Sequence, residues 1–278
     1  MKGTLQELAQ EKIIIVAHRG VFGGNIPCNN LAAYDIALKH GADMIEIDVT
    51  KSADDELFIF HPKMERAHLN GDVDIRTMTA AEIKKLRYVN IDDTPTDIGL
   101  NTLDEVFEHF KGRCFINVDK FWDCPELIIE KIKRHNIQDQ ILLKSSPKPE
   151  ILDMVEDYAP DIPFMPIISE DQGIHEYLQR RNINYIGSEL LFTTEDSEVA
   201  SEEYIAMLHR DGKLAWSNAI VYDYKAVLAA GHSDDESLIN DPANGWGWLA
   251  DRNFDFIQTD WVLACVQYLK ETGRLYRR

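Results

Sequence analysis

Short runs rich in β-branched and aromatic residues alternate with helical patterns along the chain. They are IIIVA (13 to 17), MIEIDV (44 to 49), CFINV (114 to 118), ILLK (141 to 144), FMPII (164 to 168), NYIG (184 to 187), KLAWS (213 to 217) and FDFIQT (254 to 259). Amphipathic stretches at 125 to 136, 149 to 158, 201 to 210 and 262 to 271 are each long enough for the crossover that parallel strands require. Eight strands joined this way predict an α/β fold, a somewhat irregular TIM-type (β/α)8 barrel. The alternative is an open doubly wound sheet, but no G-x-G-x-x-G turn follows the first strand.

One connection breaks the alternation. Seven residues separate MIEIDV from LFIF (57 to 60), too few for a parallel crossover, so these segments predict an antiparallel hairpin. If it turns symmetrically about Asp54 and Asp55, His61 lies directly across from Asp48. A three-residue loop would shift that register and turn His61 away. The segment from about 62 to 99 holds one short helical pattern, TAAEIKKL (79 to 86), and reads as an insertion over the barrel mouth within a single domain covering 1 to 278. It is expected to shape substrate choice and to add little to the barrel core.

Composition narrows the partners. The net charge of −19, from 29 basic and 48 acidic residues, opposes nucleic acid and anionic lipid surfaces. A phosphate-handling site here must be made locally positive by Arg, Lys or a bound cation. The N-terminus lacks the apolar stretch of a secretory signal and no apolar run approaches a membrane span, so the expectation is a cytoplasmic protein without stable membrane insertion. Cys28, Cys114, Cys124 and Cys265 show no C-x-x-C or zinc spacing and read as free thiols. Oligomeric state is not legible.

Candidate chemistry gathers at strand ends, where barrels carry their sites. Met44, Glu46 and Asp48 share one strand face and the apolar Ile45, Ile47 and Val49 the other, so the acids face the lumen. The structural alternative is that they pair with buried Lys or Arg. Val16 and His18 share a face at the end of the first strand, followed by Arg19 and Gly20. Phe115, Asn117 and Asp119 repeat the pattern, with Lys120 adjacent; the structural alternative for Asp119 is a helix cap or turn residue, since Trp122, Asp123 and Pro125 follow closely. Three carboxylates with few soft ligands nearby suit a hard divalent cation, Mg2+ or Ca2+. Lys120 or Lys144 could add a phosphate contact. Trp216, Trp246, Trp248 and Trp261 could wall a pocket, although core packing is the commoner use of tryptophan.

Together these residues resemble the glycerophosphodiester phosphodiesterase family. The matching pieces are His18-Arg19-Gly20, the acidic strand from Gly41 to Val49, the turn and strand from Asp54 to His61, Thr102-Leu103-Asp104-Glu105, and Thr259-Asp260 near the end. The resemblance implies metal-dependent hydrolysis of a small glycerophosphodiester to an alcohol and glycerol phosphate. It implies His18 and His61 as general acid and base, and Glu46, Asp48 and Asp119 as metal ligands, with Arg19 and Lys120 on the phosphate. The chain departs from the family at Cys28-Asn29-Asn30, where Glu-Asn-Thr is usual, at His61-Pro62, where His-Asp is usual, and at Asp119, where Glu is typical. Cys28 and Pro62 motivate a second reading, a barrel that binds phosphodiesters or regulates without turnover, against which the intact His18, Glu46, Asp48, His61 and Asp119 argue. A glycosidase using Glu46 and Asp48 fits poorly, because adjacent acids on one strand face do not flank a scissile bond.

Overall fold

The computed structural model describes residues 3 to 221 and 226 to 277. Among the described residues, nine strands form: β1 (Ile14–Ala17), β2 (Met44–Lys51), β3 (Leu57–Ile59), β4 (Phe115–Asp119), β5 (Ile141–Ser145), β6 (Phe164–Ile168), β7 (Gly187–Leu190), β8 (Leu214–Asn218) and β9 (Phe256–Thr259). All but β3 run parallel, and β1 pairs with both β2 and β9, which closes an eight-stranded barrel. The helices are α1 (Leu5–Glu11), α2 (Leu31–His40), α3 (Glu65–Leu69), α4 (Ala80–Ile83), α5 (Leu103–Phe110), α6 (Pro125–His135), α7 (Pro149–Tyr158), α8 (Ile174–Gln179), α9 (Glu202–Arg210), α10 (Trp248–Asp251) and α11 (Val262–Glu271). The strands are buried on both faces, which is why they read as near-continuous apolar runs.

Each strand divides its side chains between two cores. Ile15, Ala17, Ile45, Ile47 and Val49 pack outward on the helices, while Ile14, Val16, Met44, Phe115 and Leu142 fill the lumen. Leu5 and Ala9 of α1 join the luminal cluster, so this helix plugs the barrel floor. A Thr4–Glu7 capping box starts it. At the top the lumen turns polar. Trp216 stacks on Phe256 with ring centroids 4.9 Å apart, and the Lys144 ammonium lies 3.7 Å from the indole centroid, so this layer divides apolar fill from charged mouth.

The hairpin forms in a different register from the symmetric one. Val49, Thr50 and Lys51 face Ile59, Phe58 and Leu57, so Phe60, and not His61, lies across from Asp48. Ser52 and Glu56 close the turn around Ala53, Asp54 and Asp55, with Asp55 left-handed at φ 65°; this three-residue loop moves the pairing by one. His61 lies beyond the end of β3, where the alternation of faces no longer governs it.

Two further expectations need correction. The strand expected at 184 to 187 forms at Gly187–Leu190. A Cβ on Gly187 would stand 2.1 Å from the Leu214 carbonyl oxygen, so the strand starts at a glycine because a side chain there would clash with the neighbouring backbone. The segment from 62 to 99 contains α3 and a 3-10 turn (Ile75–Thr77) in addition to α4. Its Ile75, Ile83 and Tyr88, with Leu100 just beyond it, form a separate apolar cluster over Phe58 and Phe60, on the face of the hairpin opposite Val49 and Ile59. Ile83→Ala should therefore lower the unfolding free energy by about 2–4 kcal/mol in chemical denaturation. A loss below about 0.5 kcal/mol would mean that this cluster collapses without cost.

Candidate active site

The polar mouth is built from strand ends. In the parallel register of β2 and β4, Asp48 neighbours Asp119 and Glu46 neighbours Asn117. This pairing, with Glu46 and Asp48 on one face, brings carboxylate oxygens of Glu46, Asp48 and Asp119 within 4.8 Å of one another. A cavity of about 220 Å³ opens beside them, lined among others by His18, Arg19, Lys120, Trp122, Lys144 and Glu189.

Two backbone turns bring cations into this mouth. Arg19 (φ 57°) and Lys120 (φ 58°) both adopt the left-handed conformation directly after a lumen-facing residue. The Arg19 amide donates to Glu46 Oε2 at 2.9 Å, and its guanidinium Nε lies 2.9 Å from Asp48 Oδ2. Gly20 follows at φ 83°, and a Cβ there would meet the Ala33 backbone at 2.8 Å, so the tripeptide needs glycine at its third position. Lys120 Nζ donates to Asp119 Oδ2 at 2.8 Å and lies 5.2 Å from the Trp122 ring centroid.

The departures in the first loop leave its contacts complete. Asn29 donates to Asp48 Oδ2 at 2.8 Å and accepts from the Tyr34 hydroxyl, while Asn30 caps α2 by accepting from the amides of Ala32 and Ala33. Cys28 is buried, 3.8 Å from His68 Nε2, and burial pushes its thiol up to about 12. His61 is also buried, and its Nδ1 lies 2.9 Å from the Pro62 carbonyl. A backbone carbonyl can only accept, so Nδ1 carries the proton there and Nε2 is the basic nitrogen.

Titration behaviour separates the two histidines. Burial pulls His18 down, but its 2.8 Å hydrogen bond to Asp260 and the charges of Glu46 and Asp260 outweigh that, and it ends above its ordinary value. Burial also pulls His61 down, and with Arg19 and Lys120 nearby the charge of Asp48 does not restore it. Glu46 is pushed up to about 7, first by burial and then by Asp48. Asp119 is likewise desolvated, yet Lys120 and Lys144 hold it below its usual range.

Whether these carboxylates fit a cation is decided by their donor set. All three offer hard oxygens, and buried Asp48 Oδ1 has no hydrogen-bond partner among the described residues. An acceptor-only oxygen left this way is costly unless a donor or a cation meets it, so the residues fit a divalent metal.

Several participants were not legible as such. Asp260 appeared only as part of a two-residue match, although its carboxylate holds His18 Nδ1. Glu189 was missed with the misplaced strand; it pairs with Lys144 at 2.6 Å and accepts from Asn218 Nδ2 at 2.7 Å. Of the tryptophans, Trp216 and Trp246 are core residues and Trp261 is exposed, whereas Trp122 lines the cavity.

The chain is similar to known proteins. The model of the glycerophosphoryl diester phosphodiesterase family matches residues 18 to 216, and a model of a domain of unknown function matches 164 to 269. A glycerophosphodiester phosphodiesterase of Caldanaerobacter subterraneus is 30% identical over 142 residues, covering 48% of this chain and 58% of that protein. One from Bacillus subtilis is 28% identical over 191 residues, covering 62% and 64%. The chain thus spans less than two thirds of either relative. Among solved structures, a glycerophosphoryl diester phosphodiesterase from Parabacteroides distasonis superimposes with a TM-score of 0.77 at 17% identity, covering 99% of this chain and 97% of that one. An Oleispira antarctica phosphodiesterase, solved with its product sn-glycerol-3-phosphate, gives 0.68 at 20% identity, covering 93% and 97%. These structural likenesses show a common fold. Because the family model matches more than half of its length, the chain belongs to the glycerophosphoryl diester phosphodiesterase family.

Proposed function

We propose that the protein hydrolyses small glycerophosphodiesters to an alcohol and glycerol phosphate, with a divalent cation and two histidines. The observation that carries this reading is the convergence of Glu46, Asp48 and Asp119 within 4.8 Å beside a cavity that His18, Arg19 and Lys120 also line. The activity named for the curated relatives supports the substrate class, and the product-bound Oleispira structure supports a small soluble ligand. No helix among the described residues is long and apolar enough to cross a membrane. The four cysteines are free thiols, which supports a cytoplasmic site of action.

Glu46, Asp48 and Asp119 would hold Mg2+ or Ca2+, which when bound neutralises charge on the phosphoryl oxygens. The remaining work falls to this chain's own side chains. Arg19 and Lys120 bind the non-bridging oxygens and orient the diester. His18, raised by Asp260, is the imidazolium that gives a proton from Nε2 to the departing alkoxide. His61, lowered by burial, accepts the proton of the attacking water at Nε2. Environments that push two titratable groups apart are how acid and base roles are divided at one pH. The segment from 62 to 99, which carries the chain on from His61, sets diester preference within a single functional unit.

Activity against a panel of glycerophosphodiesters should be lost in excess EDTA and restored by Mg2+ or Ca2+. Full turnover in chelator would sink the metal role, and binding without turnover would favour a regulatory barrel. Glu46→Gln should abolish turnover. Because the Glu46 carboxyl is raised to about 7, the folded state holds its proton more tightly than the unfolded chain, so its ionisation destabilises the cation-free protein as pH rises from the ordinary carboxyl range through 7. Glu46→Gln should thus raise the melting temperature in EDTA at pH 8 and leave it unchanged at pH 4. Cation affinity of the wild type, measured by calorimetry, should weaken as pH falls through about 7.

His18→Ala and His61→Ala should each cost about 10²-fold or more in kcat, and the double variant should be little worse than either. Multiplicative losses would show that they do not act as a pair. The raised value of His18 means that its bond to Asp260 stabilises the fold at low pH, an effect lost as pH rises through the folded value. Asp260→Ala should lower the His18 titration midpoint in NMR, and the stability difference from wild type should be larger at pH 5.5 than at pH 8.5. An unmoved midpoint would remove Asp260 from this role.

A further inference from the structure

In the connection from β8 to β9, Asp234 turns its side chain into the protein, against the end of β9 and the Asp260 that follows it. Asp234 is 2% exposed, and its own amide donates to the Ala219 carbonyl at 2.7 Å. Its Oδ1 accepts from the Trp246 indole Nε1 at 2.7 Å and from the Thr259 hydroxyl at 2.6 Å. Its Oδ2 accepts from the Asp260 backbone amide at 2.8 Å. Thr259 Oγ1 in turn accepts from the Trp261 amide at 2.9 Å. One carboxylate therefore fixes the turn at the end of β9 through the residue before Asp260 and through Asp260 itself. The side chain of Asp260, 29% exposed, then reaches His18 Nδ1 at 2.8 Å.

Asp234 has no cationic partner among the hydrogen bonds and ion pairs described above, only neutral donors. Burying a carboxylate this way is expensive, and a fold that needed only to fill space would be better served by an apolar side chain. What the carboxylate achieves that an apolar group cannot is a fixed backbone at Asp260. A half-solvated aspartate on an unrestrained strand end would sample rotamers and backbone positions that leave His18 Nδ1 unbonded. The segment lies in the stretch matched by the domain of unknown function.

We propose that Asp234 is a positioning residue for His18, acting through the backbone of Asp260. It touches neither the cavity nor the three carboxylates. It sets the place of the Asp260 carboxylate, which sets the ring orientation and proton-bearing nitrogen of His18. The kinetic part of this inference rests on the role given to His18 above; the contact itself does not.

The test is a double-mutant cycle with a spectroscopic arm. Asp234→Ala should lower kcat by about 10- to 100-fold, the range met when an outer hydrogen-bond partner is removed, with KM changed less than about threefold. Combined with Asp260→Ala it should be no slower than Asp260→Ala alone, because both changes cut one path. Trp246→Phe, which removes one donor and leaves the grip on Asp260, should keep kcat near wild type. In the second arm, the His18 Nδ1 resonance, assigned by its loss in His18→Gln, should shift in Asp234→Ala toward its position in Asp260→Ala. This readout stands even if the diester panel shows no turnover. If Asp234→Ala does not fold, Asp234→Asn takes its place: its amide group presents a donor to one of the donors now bound, and the same shift is expected in smaller degree. A folded Asp234 variant whose His18 resonance matches wild type, or losses that multiply with Asp260→Ala, would overturn the proposal.

Discussion

Mutual repulsion among buried carboxylates is the constraint around which the mouth of this barrel is organised. Glu46, Asp48 and Asp119 offer oxygens within 4.8 Å of one another, where water cannot screen them as it does at a surface. Left alone, such a cluster would take up protons, and Glu46 goes part of the way. The remainder is offset by side chains brought in for the purpose: Arg19 against Asp48, Lys120 against Asp119, Lys144 against Glu189. The left-handed turns at Arg19 and Lys120 follow from the same need. Each residue comes directly after one that faces the lumen, and regular strand geometry would point it at the outer helices. Backbone strain of about 1 kcal/mol or more at each position turns it inward.

This arrangement explains which parts were legible in the sequence. Side-chain alternation alone put Glu46, Asp48, His18 and Asp119 on luminal faces, because strand parity is a local property and these strands have apolar partners on the opposite parity. Thr102 and Glu105, singled out only through the family resemblance, form a capping box at the start of α5, a local device spanning four consecutive residues. The hairpin was harder. Its register depends on how many residues close the turn, and the choice between two and three rested on hydrogen bonds of Ser52 that composition does not reveal. His61 was singled out by an incorrect pairing. Buried among the charges of Asp48, Arg19 and Lys120, it gets there by leaving the strand.

What stayed hidden depends on closure. His18 and Asp260 are 242 residues apart, and they meet because Ala17 pairs with Thr259 when the last strand returns to the first. No periodicity carries that information, although a reader who assumed closure and aligned the two strand ends could have recovered it. Asp234 is hidden more deeply. It sits in an irregular connection, and nothing in its neighbourhood distinguishes it from Asp235, which follows it in the chain. Only the folded loop shows which carboxylate is buried against the end of β9.

The charge balance of the mouth gives an independent argument for a cation. Around the cavity and its walls, among the described residues, the carboxylates are Glu46, Asp48, Asp119, Glu189 and Asp260, and the fixed cations are Arg19, Lys120 and Lys144. With Glu46 ionised, as it must be to hold a cation, and His18 protonated, one negative charge is left over. A phosphodiester monoanion approaching this mouth would be repelled, and the −19 of the whole chain makes the approach worse. One divalent ion on the three carboxylates would change the excess to a single positive charge, the complement of a phosphodiester monoanion. The lysines and the arginine cannot do this alone, because each is already paired with an acid whose burial it makes tolerable. Under the proposed function, a divalent ion held by Glu46, Asp48 and Asp119 would reconcile the acidity of the whole protein with an anionic substrate.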